Sequence, residues 1–391
     1  MVPVIENLLS GSASVGRRLK IGIICALALP LLATAGSVGR YETDAVDTLN
    51  VQKEDVIAVL SKVADWQLDN PTGKELWVWE YGTFYAGLMG YYRINPQDKY
   101  LKAMLQMGES LEWKLKPHPY LADNFTIAQT YLDLYEIIGD PKMIDKTRYV
   151  MDMEFYKRPS KPDLRWVDNP HKLNWWSWCD ALFMAPPAFA KMSKVTGDAR
   201  YIERMDRLWQ LTYNYLYDQD EHLFFRDDGY FEARTKNNKK VFWSRGNGWV
   251  MGGLVRVLES MPDDFPNRGF YENVFKEMCE RLVELQSKEG FWYSSLLDAT
   301  EFEVKETSGT AFYCYALAWG INNNLLEKDP YLPSVEKAWK TLVESVQPDG
   351  KLGYVQLVGV GPGNVKEEDT ETYGTGALLL AGSELYKLLD D

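Results

Sequence analysis

The chain predicts an all-α fold, an (α/α)6 barrel of six helical hairpins, and three observations carry that prediction. Six segments share one design, a polar or glycine-containing head followed by a helix rich in Ala, Gly, Leu and aromatics. Their starts fall 42 to 69 residues apart, and each interval holds a second, more charged amphipathic stretch. Turn-rich segments beginning at Gln219, Gln286 and Gln347 recur about 67 and 61 residues apart, which gives the same period independently. Small residues let the first helix of each pair pack closely on both sides, while the charged helix tolerates water on one face. Six such pairs close into a double ring; an open solenoid is the alternative and would need capping units at its ends.

In chain order, Arg17, Arg18 and Lys20 come first, then an apolar run from Ile21 to Leu32, then Ala33, Thr34 and Ala35. This basic, apolar, small-residue order reads as a cleavable export signal over residues 1–35 and predicts an exported protein, periplasmic or secreted. The run is short for a bilayer span. Residues 36–391 then form a single barrel domain. Its inner-helix heads begin at Tyr81 (YGTFYAGLMGYY), Asp123 (DNFTIAQTYLDLYE), Trp178 (WCDALFMAPPAFAKMSKVTG), Asn247 (NGWVMGGLVRVLESM), Ser308 (SGTAFYCYALAWGI) and Tyr373 (YGTGALLLAGSELYKLL). Outer helices are clearest over Tyr201 to Tyr217 and Tyr271 to Gln286, where apolar residues follow the helical period.

Composition narrows the function. A chain of 391 residues, 46% of them hydrophobic, has ample material for a large core. Its net charge of -13 excludes nucleic acid and anionic membrane surfaces as partners, apart from the membrane that the export signal engages. The 14 Trp and 24 Tyr exceed what a core alone requires and suit the lining of a carbohydrate cleft. Beyond the signal, Cys179, Cys279 and Cys314 lack metal-ligand spacing and read as buried thiols. With only His118, His171 and His222, a multi-histidine metal centre is not expected.

If all inner helices start at one rim, their heads converge on one cavity. There Asp180, in WWSWCDALFMAPP, sits among three tryptophans. It has two readings: a helix N-cap, or a general acid whose carboxyl is raised by desolvation. Asp123 repeats the situation in the preceding hairpin, and two carboxylates at one mouth suit proton transfer to a sugar, one neutral and one ionised. The segment FWSRGNGW sets Arg245 and Trp249 at i and i+4, one face of a helix. Such a pair either holds a substrate carboxylate beneath a stacked sugar, or is a salt-bridged Arg beside a core Trp.

Taken in order, WCDALFMAPP, SRGNGW, ETSGTAFY and YGTGALLLAGSEL resemble glycoside hydrolase family 105, the unsaturated rhamnogalacturonyl hydrolases, with the unsaturated glucuronyl hydrolases of family 88 beside it. The resemblance runs over about residues 50 to 390. It implies an (α/α)6 barrel that hydrates the C4–C5 double bond of the terminal unsaturated uronic acid in a lyase-generated oligosaccharide, without metal or cofactor. It further implies Asp180 as general acid and base, Asp123 as its supporting carboxylate, Tyr81, Arg245 and Trp249 as substrate contacts, and Trp178 as a stacking wall. One departure stands out. Many members carry a His after an aromatic pair in the fourth hairpin's loop, where LFFRDDGY places Arg226, with His222 four residues earlier. Which of these replaces it is left open by the sequence, and His171, just before the tryptophan cluster, is a further pocket candidate. Two other readings remain beside the hydrolase: a sugar epimerase or isomerase on the same barrel, which would want histidine bases, or a noncatalytic oligosaccharide-binding barrel.

Overall fold

The computed structural model describes residues 51–157 and 161–389, so the expected export signal lies outside the described residues. Helices alternate between an outer and an inner layer. Outer helices are α1 (Lys53–Asp69), α3 (Asp98–Ser110), α5 (Lys142–Lys157), α8 (Arg200–Leu216), α10 (Arg268–Glu284) and α12 (Lys328–Val343); inner ones are α2 (Trp79–Ile94), α4 (Thr126–Ile138), α6 (Ala181–Met184) continued by α7 (Pro186–Thr196), α9 (Ser244–Leu258), α11 (Thr307–Asn322) and α13 (Thr372–Leu388). The layers differ as their sequences demand. In α8 the buried side chains are Tyr201, Ile202, Met205, Leu208, Trp209, Thr212 and Leu216, one stripe at helical spacing. In α9 every residue from Ser244 to Leu258 is buried, as a helix enclosed on all sides requires.

The ring closes. Helix α2 packs on α4, α4 on α7, α6 on α9, α9 on α11, α11 on α13, and α13 returns to α2. At that last seam a Cβ on Gly87 would run into the backbone of Gly376, so the two glycines let the first and last inner helices touch main chain to main chain. Helix α1 also packs on α13, and Thr375 donates to the Gln67 side chain at 3.1 Å, stitching the ends of the ring.

The third inner helix, expected to be continuous, is broken in two. Pro186 and Pro187 lack N–H groups, so the carbonyls of Leu182 and Phe183 lose their helical donors, and at the turn the Ala188 N–H goes to the Ala185 carbonyl, leaving Met184 without it. The Gln129 amide takes up two of these groups, donating to the Phe183 and Met184 carbonyls at 2.8 and 3.3 Å. Gln129 in turn accepts from Arg256 Nε at 2.6 Å, joining a buried ionic cluster in which Asp133 meets Arg93, Lys191 and Arg256 at 2.8, 3.0 and 3.2 Å. Burial alone would raise the Asp133 carboxyl; the three cations override it and hold it well below the usual carboxylate range.

Each outer helix leads into an inner one by a long segment, and each inner helix returns by a shorter turn. Two of the long segments carry small antiparallel hairpins. Strand β1 (Tyr217–Asp218) pairs with β2 (Leu223–Phe224), and β3 (Trp292–Tyr293) with β4 (Lys305–Glu306). All long segments gather at the rim where the inner helices begin.

Candidate active site

Asp180 occupies the N-cap position of α6, yet its side chain makes no capping bond. Its backbone is helical, φ -60° and ψ -28°, so the carboxylate is turned away from the free N–H groups that a cap would satisfy. It is 9% exposed and sits 3.9 Å from Arg226 Nε and 3.4 Å from Cys179 Sγ. Burial raises its carboxyl, Arg226 and Arg245 oppose this, and the balance remains above the ordinary value. The Cys179 thiol is pushed well up, by burial first and by Asp180 next, so it faces the carboxylate as an S–H donor.

Asp123 lies in a 3-10 turn, Ala122–Phe125, that leads into α4 and packs on α6. Its side chain is half-buried and hydrogen-bonds to no described residue, although its neighbour Asn124 donates to the carbonyls of Lys116 and His118 at 3.3 and 2.8 Å. Burial, then the charges of Asp180 and Glu80, push the Asp123 carboxyl up to about 7 against the pull of Arg226 and Lys116. Asp123, on the inner helix next to that of Asp180, therefore feels the charge of Asp180, and neither carboxyl is spent on capping.

Arg226 is delivered to this pair by a chain of backbone bonds. The β1–β2 hairpin is clamped to the head of α9 by Asn247, which accepts from the Phe224 N–H at 2.8 Å and donates to its carbonyl at 3.0 Å. Two residues on, the Arg226 carbonyl accepts from the Cys179 N–H at 2.9 Å, fixing the hairpin to WWSWCD. The buried guanidinium bonds Asp227 at 2.5 Å and lies 4.0 Å over the Trp166 ring. His222 is spent elsewhere: a turn residue with φ 52°, its Nδ1 lies 3.1 Å from the Tyr217 hydroxyl and 3.6 Å from Glu277. Of the two residues proposed for the place of the family's histidine, Arg226 is the one beside Asp180.

Other expected contacts are reassigned by the structure. Trp249 is 0% exposed, enclosed by Trp79, Phe183, Phe312 and Tyr373, and so has no face to offer a sugar. Arg245 is 1% exposed, gripping the carbonyls of Gln356 and Leu357 at 2.5 and 3.1 Å between the rings of Trp243 and Tyr373. It reaches Asp180 only through its field and works as the strut of the loop before α13. The buried Tyr81 accepts from the Thr72 N–H at 2.8 Å, tying down the 70–78 segment. Trp178 is buried beneath Trp166, centroids 5.5 Å apart. His171 is exposed on the 161–178 segment and acts on Asp163, not among the main influences on either carboxyl.

In their place the structure brings three partly exposed aromatics to the rim: Trp79, stacked on Tyr373 at 5.0 Å; Trp166, held by Arg226; and Tyr230, whose hydroxyl titration is raised by burial and feels Asp227, Arg226 and Asp180. Sequence reasoning passed over them because Trp166 and Tyr230 lie in irregular segments; Trp79 sits two residues ahead of the repeat head and had a signal in WVWEYGTF. A groove of about 810 Å³ does exist at the opposite rim, lined by Ser193, Asp206, Glu259 and Asn267, but it lies among the short turns, away from the carboxyl pair.

Comparison with known proteins agrees with this architecture. The family model described as Glycosyl Hydrolase Family 88 matches residues 52–389. The chain is 36% identical over 377 residues to an "Unsaturated 3S-rhamnoglycuronyl hydrolase" of Formosa agariphila, covering 92% of this chain and 97% of that one. It is 38% identical over 318 residues to a protein of the same name from an Alteromonas species, covering 78% and 77%. A solved structure titled "Glycosyl hydrolase family 88 from Bacteroides vulgatus" superposes with a TM-score of 0.79 at 30% identity, over 87% of this chain and all of that one. With the family model spanning almost every described residue and the ring closed as the resemblance implies, the chain belongs to Glycosyl Hydrolase Family 88.

Proposed function

We propose that this enzyme removes the terminal 4,5-unsaturated uronic acid from oligosaccharides left by a polysaccharide lyase, and that the sugar released from it is a rhamnose. The observation that carries the reading is the carboxyl pair: Asp123 without a hydrogen-bond partner among the described residues, Asp180 uncapped, both raised, and Asp123 raised in part by the charge of Asp180. Such a pair holds one proton near neutrality, because the second charge is costly while the first persists. The names of the two relatives supply the uronic acid and the rhamnose.

In this reading Asp180 donates its proton to C4, and water, oriented by the carboxylate left behind, adds its oxygen to C5 while returning a proton to Asp180. The product is a hemiketal at C5. It opens, and C1 then expels the remaining oligosaccharide as an alcohol. Asp123 receives sugar hydroxyls on its unused oxygens and sets the charge state of Asp180. Arg226 opposes the build-up of negative charge around Asp180 and stands where a uronate carboxylate can be met. We also read residues 1–35 as an export signal, which places the enzyme outside the cytoplasm; N-terminal sequencing of the mature protein tests that placement.

The decisive experiment follows the ultraviolet absorbance of the conjugated double bond, with mass spectrometry of the products, on a panel of defined unsaturated disaccharides. Decay of the chromophore and release of the intact second sugar are expected. An unchanged chromophore across the panel would reject the reading. An epimerase would alter mass in neither product, and a binding barrel would turn nothing over.

A further inference from the structure

Of the nine large hydrophobic side chains exposed among the described residues, six lie on the long segments of the carboxyl rim: Val167, Leu173, Val304, Leu357, Val358 and Val360. Leu357, Val358 and Val360 are 50%, 51% and 59% exposed, a concentration that a solvent-facing loop does not need for folding. They form an arch whose two feet are fixed. At one foot the Gln356 carbonyl accepts from Arg245 and from the Tyr373 hydroxyl; at the other the Gln356 amide donates to the Gly361 carbonyl at 2.9 Å and the Gly363 N–H donates to Ser294 Oγ at 3.0 Å.

This arch belongs to the site. The Tyr230 hydroxyl donates to the Val360 carbonyl at 2.8 Å, and a Cβ on Gly361 would collide with that same hydroxyl, so glycine is what allows the approach. Tyr230 is the ring that feels Asp180 and Arg226. On its other side Gly229 lies close to the Val167 side chain. An apolar edge thus runs from Val167 past Tyr230 to Val360, beside Arg226, which lies over the Trp166 ring, bonds Asp227 and sits 3.9 Å from Asp180.

We infer that this edge receives the leaving sugar and selects a 6-deoxyhexose, whose C5 methyl group it covers. The inference rests on the functional reading above. The unsaturated uronate, anionic and rich in hydroxyls, matches the side of Arg226 and the two carboxyls, whereas the arch side chains Leu357, Val358 and Val360 carry no donor or acceptor. A hydroxymethyl group laid on it would exchange a water for no partner, while a methyl group is favoured there. Because side chains hold the arch by its backbone, the surface is formed before the sugar arrives.

The test uses the full chain and two unsaturated disaccharides that share the uronic acid and differ only in the second sugar, a 6-deoxyhexose or the corresponding hexose. Wild type should favour the deoxy substrate in kcat/KM by about tenfold. The variant L357S/V358S/V360S, which keeps every backbone bond, should bring that ratio close to one, mainly through KM; V360S alone should lower it in part. Circular dichroism melting verifies folding of each variant. A wild-type ratio near one, or equal losses on both substrates, overturns the apolar edge while leaving the uronyl hydrolase intact. Failure of wild type to consume either disaccharide overturns the functional reading, and the edge with it.

Discussion

Asp123 and Asp180 stand at the heads of neighbouring inner helices, but their surroundings differ. Arg226 and Arg245 temper the rise that burial gives the Asp180 carboxyl without cancelling it, while Asp123 carries the like charges of Asp180 and Glu80. Asp180→Asn should lower kcat by about 10²–10⁴ with the melting temperature retained, as loss of a general acid does. The kcat/KM of wild type should fall above about pH 7, where Asp123 gives up its proton. The linkage runs the same way. Asp123 titrates near 7 in the fold against 3.8 as its ordinary value, so its contribution favours the fold below 3.8 and is lost as pH rises through 7. Asp123→Asn should therefore stabilise the protein by about 2 kcal/mol at pH 8 and hardly at all at pH 4, the full shift being discounted because the group is only half-buried; melting curves at the two pH values decide this. Both acids were legible as repeat heads beside aromatics. Depth was not: Trp249 and Arg245 share a helical face as predicted, but the i, i+4 rule says nothing about how far below the rim that face is covered.

At the scale of elements, the period of six helices could be read from small residues and charge because packing imposes it. The rim segments have no period, so Trp166, Tyr230 and the arch before α13 escaped notice. The break in α6–α7 was written in the two prolines, yet only the structure shows that Gln129 takes up the carbonyls of Phe183 and Met184 beside it. Arg245→Met tests how far one element depends on one buried strut. It frees the carbonyls of Gln356 and Leu357 and leaves the packing between Trp243 and Tyr373, so a loss of about 2–4 kcal/mol in urea unfolding is expected, with KM raised as the arch loosens. Arg245→Lys should not restore it, since an ammonium cannot span both carbonyls in one plane.

The whole molecule separates chemistry from anchorage. Asp133 and its cations lie at the far end of the inner helices from Asp180, packed where α2, α4, α7 and α9 come together. Asp133→Asn leaves three cations without their shared anion and should cost about 3–5 kcal/mol, while kcat/KM measured well below the melting temperature stays within about twofold of wild type. A large loss of activity in a protein that still melts cooperatively would show that the two ends are coupled. The depressed carboxyl contributes stability above its unfolded value and withdraws it as pH falls.

The seam between Gly87 and Gly376 makes the first and last inner helices neighbours of the same kind as any other pair. A ring joined that way has no privileged starting helix. Severing the Asn95–Gln97 turn, between α2 and α3, and linking residue 389 to residue 51 through a short flexible tether should give a permuted chain that closes the same circle, because α1 already packs on α13. The order of synthesis would change while the cavity did not, and retention of turnover by such a permutant would mark the barrel as a cyclic object that happens to be written linearly.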